Sequence, residues 1–113
     1  MKNVAILGST GSIGVSTLDV IARHPDRYRA FALSASSRVE ELAQQCIRFQ
    51  PRFAAMPDPG HAEALRTRLI ELGAPTEVLG GESALSSIAS HPDTQLVMAA
   101  VVGAAGLPST LAA

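Results

Sequence analysis

The chain contains a single cysteine, Cys46, so it builds neither an internal disulfide framework nor a cysteine-cluster metal site. It has no surplus of positive charge: 9 Lys and Arg stand against 10 Asp and Glu, for a net charge of −1. Duplex nucleic acid and acidic membranes call for a basic face, so neither is an expected partner. No apolar run approaches the roughly 20 residues of a membrane-spanning helix. No signal-peptide or transit-peptide pattern precedes the first apolar run, which makes a reducing cytoplasm the expected compartment. The three histidines, His24, His61 and His91, are scattered and make no metal site. What remains, 113 residues of which 47% are apolar, describes one soluble globular domain with a real core, short for a complete enzyme.

Short apolar runs alternate with longer stretches of helical periodicity. Strands are predicted at 4–7, 30–35, 53–56, 77–79 and 96–102, the last the most apolar. Helices are predicted at 12–23, 38–49, 61–72 and 83–90, with another beginning near Leu107. In the first helix Gly14, Leu18, Ile21 and Ala22 share one face. In the second Val39, Leu42, Cys46 and Phe49 do, and in the third Ala62, Leu65, Leu69 and Leu72. Strands apolar on both faces, alternating with helices, predict an α/β fold: a Rossmann-type open, mostly parallel sheet with helices on both faces. Two links, His24-Pro25-Asp26 and His91-Pro92-Asp93, read as repeated turn chemistry, since proline stops the preceding helix and aspartate favours a turn. The last residues, Leu111-Ala112-Ala113, fall inside a helical pattern with no C-cap signal. The expectation is a fragment truncated at its C-terminal end, oligomeric or marginally stable when isolated because removed strands expose the sheet they cover.

Between the first strand and first helix lies GSTGSIG, which places Gly8, Gly11 and Gly14 three residues apart. A helix N-terminus offers N–H groups without intrahelical acceptors, and the helix dipole adds about half a positive charge there. In such a turn Gly8 makes the bend, Gly11 lets the backbone approach a pyrophosphate, and Gly14 lets helix press on strand. Thr10 and Ser12 add hydroxyls for phosphate oxygens. The spacing is one residue wider at its front than the commonest dinucleotide fingerprint. A P-loop is excluded because no Gly-Lys-Ser/Thr ends the turn, and a nucleophile elbow because Ser12 lies in T-G-S-I-G. The competing reading is a bare turn in which glycine serves geometry alone.

About 20 residues beyond the glycines, the end of the second strand meets the adenosine ribose in folds of this kind, and an acidic residue there marks NAD. Here Ser36, Ser37 and Arg38 stand at that point, with no carboxylate before Glu40. A guanidinium pairs bidentately with phosphate and the serines donate to it, so the 2′-phosphate of NADP(H) is favoured. Ser37 through Glu40 also fits a capping box at the next helix, which is compatible with that role.

These residues closely resemble one family. GSTGSIGVSTLDVI is similar to the N-terminal motif of the 1-deoxy-D-xylulose 5-phosphate reductoisomerases. Gln50-Pro51-Arg52, Thr76-Glu77-Val78-Leu79 and the stretch 98–107, MAAVVGAAGL, extend the likeness across the chain. The resemblance implies residues 1–113 as an N-terminal NADPH-binding domain, incomplete, from a longer multidomain homodimeric enzyme inhibited by fosmidomycin. That enzyme rearranges and reduces 1-deoxy-D-xylulose 5-phosphate to 2-C-methyl-D-erythritol 4-phosphate in non-mevalonate isoprenoid synthesis, using Mg or Mn. By matching motif, Thr10, Gly11, Ser12, Ile13, Ser36, Ser37 and Arg38 contact the cofactor, with Ala100 and Val101 lining its cleft. Some members read Gly-Lys-Asn where this chain reads Ser-Ser-Arg, so Arg38 takes over from a neighbouring lysine. The family's metal and phosphosugar ligands lie beyond Ala113, so no catalytic and no metal residue is expected here. Asp19, Glu40 and Glu41 read as solvated or capping residues, Cys46 as core, and the histidines as helix-end or surface residues. Two rivals stand beside this reading: another NADP-dependent reductase with a GxxGxxG turn, of the semialdehyde dehydrogenase type, and a non-catalytic NADP(H)-sensing module.

Overall fold

A computed structural model describes residues 2–99. The strands are β1 (Lys2–Leu7), β2 (Tyr28–Ser34), β3 (Phe53–Met56), β4 (Glu77–Gly80) and β5 (Leu96–Ala99). The helices are α1 (Ser12–Arg23), α2 (Val39–Phe49), α3 (Pro59–Leu72) and α4 (Ala84–Ala89). All described strand pairs are parallel, in the order β4-β3-β2-β1-β5.

That order divides the helices between faces. The chain steps from β1 to β4 in one direction and then returns to pair β5 with the far side of β1. Because crossovers of one hand change face when the stepping direction reverses, α1, α2 and α3 belong on one side and α4 on the other. The packing agrees. Leu18 and Ile21 of α1, Leu42, Ala43 and Cys46 of α2, and Ala62, Leu65 and Leu69 of α3 share a core with Val4, Ile6 and Leu33. Ala84 and Ile88 of α4 pack with Ala5, Leu7, Phe31 and Phe53. Helices therefore cover both faces, three against one among the described residues. The reversal at β1 creates a switch point between β1 and β5, where ligands of such sheets bind.

A bulge interrupts the alternation in β2. Val4 pairs with Ala30 but Ala5 pairs with Ala32, so Phe31 is the extra residue. Phe31 and Ala32 consequently both join the α4 side. Phe31 there meets Phe53 edge-on at 5.8 Å, and the His91 ring lies 5.3 Å from Phe31.

The predicted elements are present with shifted ends. α3 begins at Pro59, two residues before the predicted start, because Asp58 caps it by accepting from the N–H of Gly60 at 2.7 Å and of His61 at 3.3 Å. The two His-Pro-Asp links do close alike: the carbonyl of His24 accepts from Arg27 N–H at 3.0 Å, and that of His91 from Thr94 N–H at 2.9 Å. β5 departs from the expectation of strands buried on both faces, since Leu96 is 38% and Met98 44% exposed. The predicted continuation of that strand and the helix near Leu107 lie outside the described residues.

Candidate functional site

Each glycine of the turn after β1 has a separate geometric status. Gly8 has φ of 84°, the left-handed region that side chains avoid. Gly14 is buried against the turn: a Cβ there would stand 2.3 Å from Gly8 O and 2.6 Å from Ser9 Cα. Backbone atoms cannot swing aside, so only glycine allows α1 to lie this close. Gly11 has ordinary φ of −76°, and a Cβ there would meet Gly8 O at 3.6 Å, a normal contact. The fold itself thus requires the first and third glycines. Nothing among the described residues requires the second, which leaves its lack of a side chain for a ligand to use.

The turn is held by the end of β2. Gly8 N–H donates to both the carbonyl (3.1 Å) and the hydroxyl (3.0 Å) of Ser34, and Ser9 N–H donates to the same carbonyl at 2.8 Å. From this anchor the chain enters α1 with Gly11 as N-cap. Among the described residues no side chain caps that end, and no acidic residue lies in its first turn. The N–H groups of Ser12 and Ile13 therefore face outward beside the positive end of the helix dipole.

A cleft of about 280 Å³ opens beside the turn, lined by Gly8, Thr10, Gly11, Ser34, Ser36 and Arg38, with Pro57 and Leu85 also on its wall. It joins the predicted pyrophosphate turn to the predicted ribose end, 25 or more residues away in sequence. Ser12 and Ile13 are exposed at the α1 start, Gly14 lies beneath it, and Ser37 is exposed beside Arg38. Ala100 and Val101 fall outside the described residues.

The capping box is not formed. Arg38, not Ser37, is the N-cap of α2, and no side chain caps it. Ser37 uses its carbonyl to accept from Val39 N–H at 2.9 Å, and the Glu40 carboxylate is taken by Arg68 of α3 through bonds of 2.9 and 3.0 Å. Those bonds, with a third from Gln44, hold the Glu40 carboxyl below its ordinary range. The α2 start is consequently a second uncapped helix end facing the cleft. Among the described residues Arg38 has only a loose pairing, 3.9 Å, with Glu41.

Several contributors escaped the sequence reading: Ser34, Gln45, and His61, whose Nδ1 lies 3.1 Å from the Ser36 carbonyl. Each acts across 25 residues or more, so no local pattern marks it. Cys46 is fully buried in the core, and burial raises its thiol to about 11, partly countered by a hydrogen bond with Thr76. Asp19 pairs with Arg23 on the surface at 2.8 Å. Among the described residues no three His, Cys, Asp or Glu side chains converge as for a metal, and no helix is long and apolar enough to cross a membrane.

A parallel sheet with a glycine turn at its switch point, opening into a helix with bare amides, defines the Rossmann-type class of dinucleotide-binding folds. The comparisons narrow the class. The family model for 1-deoxy-D-xylulose 5-phosphate reductoisomerase matches residues 4–113. The enzymes of that name from Aromatoleum aromaticum and Methylobacillus flagellatus are 58% and 56% identical over all 113 residues. The chain spans 28% of the length of each. A crystal structure of DOX-P reductoisomerase in complex with NADPH, fosmidomycin and magnesium is 44% identical, covering 99% of this chain and 27% of that one, with a TM-score of 0.90. The Zymomonas mobilis enzyme in complex with NADPH is 40% identical over 98% of this chain and 29% of its own, with a TM-score of 0.85. The chain belongs to the 1-deoxy-D-xylulose 5-phosphate reductoisomerase family.

Proposed function

We propose that residues 1–113 form the NADPH-binding portion of an enzyme that isomerises 1-deoxy-D-xylulose 5-phosphate and reduces it to 2-C-methyl-D-erythritol 4-phosphate. The observation that carries this reading is one cleft bordered by two uncapped helix starts, with Arg38 at its far end. A dinucleotide with an extra phosphate needs that arrangement: an amide-lined seat for the diphosphate and a cation for the 2′-phosphate.

The residues present fit such a cofactor. The N–H groups of Ser12 and Ile13 would hold the diphosphate, Gly11, whose own N–H donates to the Gly8 carbonyl at 3.3 Å, would give it room to approach, and the hydroxyls of Thr10 and Ser12 would donate to its oxygens. Gly8 and Gly14 keep the turn tight enough for those amides to share one anion. Ser36, Ser37 and Arg38 would take the 2′-phosphate, and Ala100 and Val101 are proposed as cofactor contacts on the family resemblance alone. When bound, NADPH supplies the hydride for the reduction; the part of this chain is to fix its position and exclude the non-phosphorylated coenzyme. The Mg or Mn ion and the groups that grip the phosphosugar belong to sequence beyond Ala113. The whole protein is proposed as a cytoplasmic homodimer.

The test uses the full-length protein containing this chain. Loss of NADPH absorbance on addition of 1-deoxy-D-xylulose 5-phosphate and Mg²⁺ is expected, with 2-C-methyl-D-erythritol 4-phosphate as product. Turnover of an acyl phosphate instead, or none of the sugar phosphate, would overturn the proposal.

A further inference from the structure

Ser9 lies between the first and second glycines of the turn and is fully buried, although it is a serine. Its backbone is pressed from one side by Gly14 of α1, where not even a methyl group fits. From the other side it is gripped by Gln45 of α2. The Gln45 amide donates from Nε2 to the Ser9 carbonyl at 2.8 Å, and its Oε1 accepts from the Ser9 hydroxyl at 2.7 Å. A carbonyl only accepts, which fixes the amide's orientation. The hydroxyl has one proton, and the Ser34 carbonyl lies farther away at 3.3 Å, so that proton goes to Gln45. Among the natural side chains an amide of this length supplies both an acceptor and a donor at once. A carboxylate would set negative charge against the Ser9 carbonyl, and an apolar side chain would leave that carbonyl buried without a partner.

We infer that Gln45 is a positioning residue for dinucleotide binding: its two bonds to Ser9 lock the turn so that the amides after it point into the cleft. The inference rests on the NADPH reading above. Gln45 sits on α2, whose first turn follows Arg38, so one helix carries both the proposed 2′-phosphate contact and the clamp on the diphosphate turn. Movement of α2 against α1 therefore alters both ends of the proposed site together.

The clamp acts on the diphosphate seat, which NADPH and NADH share. In the full-length enzyme, Gln45→Leu is expected to raise the Kd for both coenzymes by a similar factor, about tenfold, the loss of roughly one such bond's worth of orientation. The increase should appear in KM for NADPH rather than in kcat, because the interaction is made equally in ground and transition states. Gln45→Met, nearly the same length, serves if the leucine variant does not fold. Combining either with Ser9→Ala should cost less than the sum of the two single changes, as partners in one network do. A folded variant whose Kd for NADPH equals the wild-type value would overturn the inference, as would strict additivity with Ser9→Ala. If the wild-type enzyme itself binds no NADPH, the functional proposal fails instead, so the two failures are distinguishable.

Discussion

Gly14→Ala is the substitution for which the structure makes the sharpest demand. An added Cβ would sit 2.3 Å from Gly8 O, 2.6 Å from Ser9 Cα and 2.8 Å from Ser9 C, all backbone atoms of the turn. Restoring ordinary contact requires α1 and the turn to separate by roughly 1 Å. Overpacking of this kind costs about 1–3 kcal/mol, and the better helix propensity of alanine returns about 1 kcal/mol of it. Because all three clashing atoms are backbone, the upper end applies, and a net loss of about 2 kcal/mol should lower Tm by a few degrees. The effect on binding is larger, because the amides after Gly11 move with α1. Weakening two charge-assisted bonds to a diphosphate lowers NADPH affinity by about 100-fold. Fluorescence titration of NADPH against the full-length enzyme, with thermal melts alongside, measures both. Gly11→Ala is the control: its Cβ meets only Gly8 O at 3.6 Å, so Tm should hardly move while NADPH affinity falls. Wild-type affinity and Tm in Gly14→Ala would refute the packing argument. Wild-type affinity in Gly11→Ala would refute the claim that a diphosphate approaches there.

Arg38→Glu should weaken NADPH far more than NADH, by about tenfold or more in the ratio of their Kd values, and equal losses would remove Arg38 from the 2′-phosphate site. Glu40→Gln should destabilise the protein at neutral pH. The Glu40 carboxyl is depressed below its ordinary 4.5, chiefly by Arg68, so its contribution is complete above that value and is lost as pH falls through the folded-state value. The gap in melting temperature between variant and wild type should therefore narrow in acid, and a constant gap would contradict this. Cys46, buried and raised to about 11, should react with a thiol reagent only as the protein unfolds, and rapid labelling of native protein would contradict its core position.

Much of this was legible in the chain because the signals were local. The limits of α1 and β3 follow from apolar periodicity and short apolar runs, and the roles of Gly8 and Gly14 follow from their place between strand and helix. The start of α3 was legible too, in Asp58-Pro59, a cap followed by proline at the first helical position, but periodicity alone points two residues later. The Ser37 box looked equally good and is absent, because Arg68 captures Glu40 from a helix 28 residues away. The bulge at Phe31 left no trace, since residues 30–33 are all apolar and either face would accept them. Gln45 stands beside the stripe of Leu42 and Cys46, and only the fold reveals that it faces Ser9. The exposure of β5 was hidden for a related reason: an apolar strand reads as buried whether or not both its faces are covered among the described residues.

A crystal structure of the full-length protein with NADPH measures directly where the dinucleotide lies. The diphosphate oxygens should accept from the backbone N–H groups of Ser12 and Ile13 and pack against Gly11, with the 2′-phosphate against Arg38. A ligand bound away from the β1–α1 turn, or one turned so that Arg38 meets no phosphate, would contradict it.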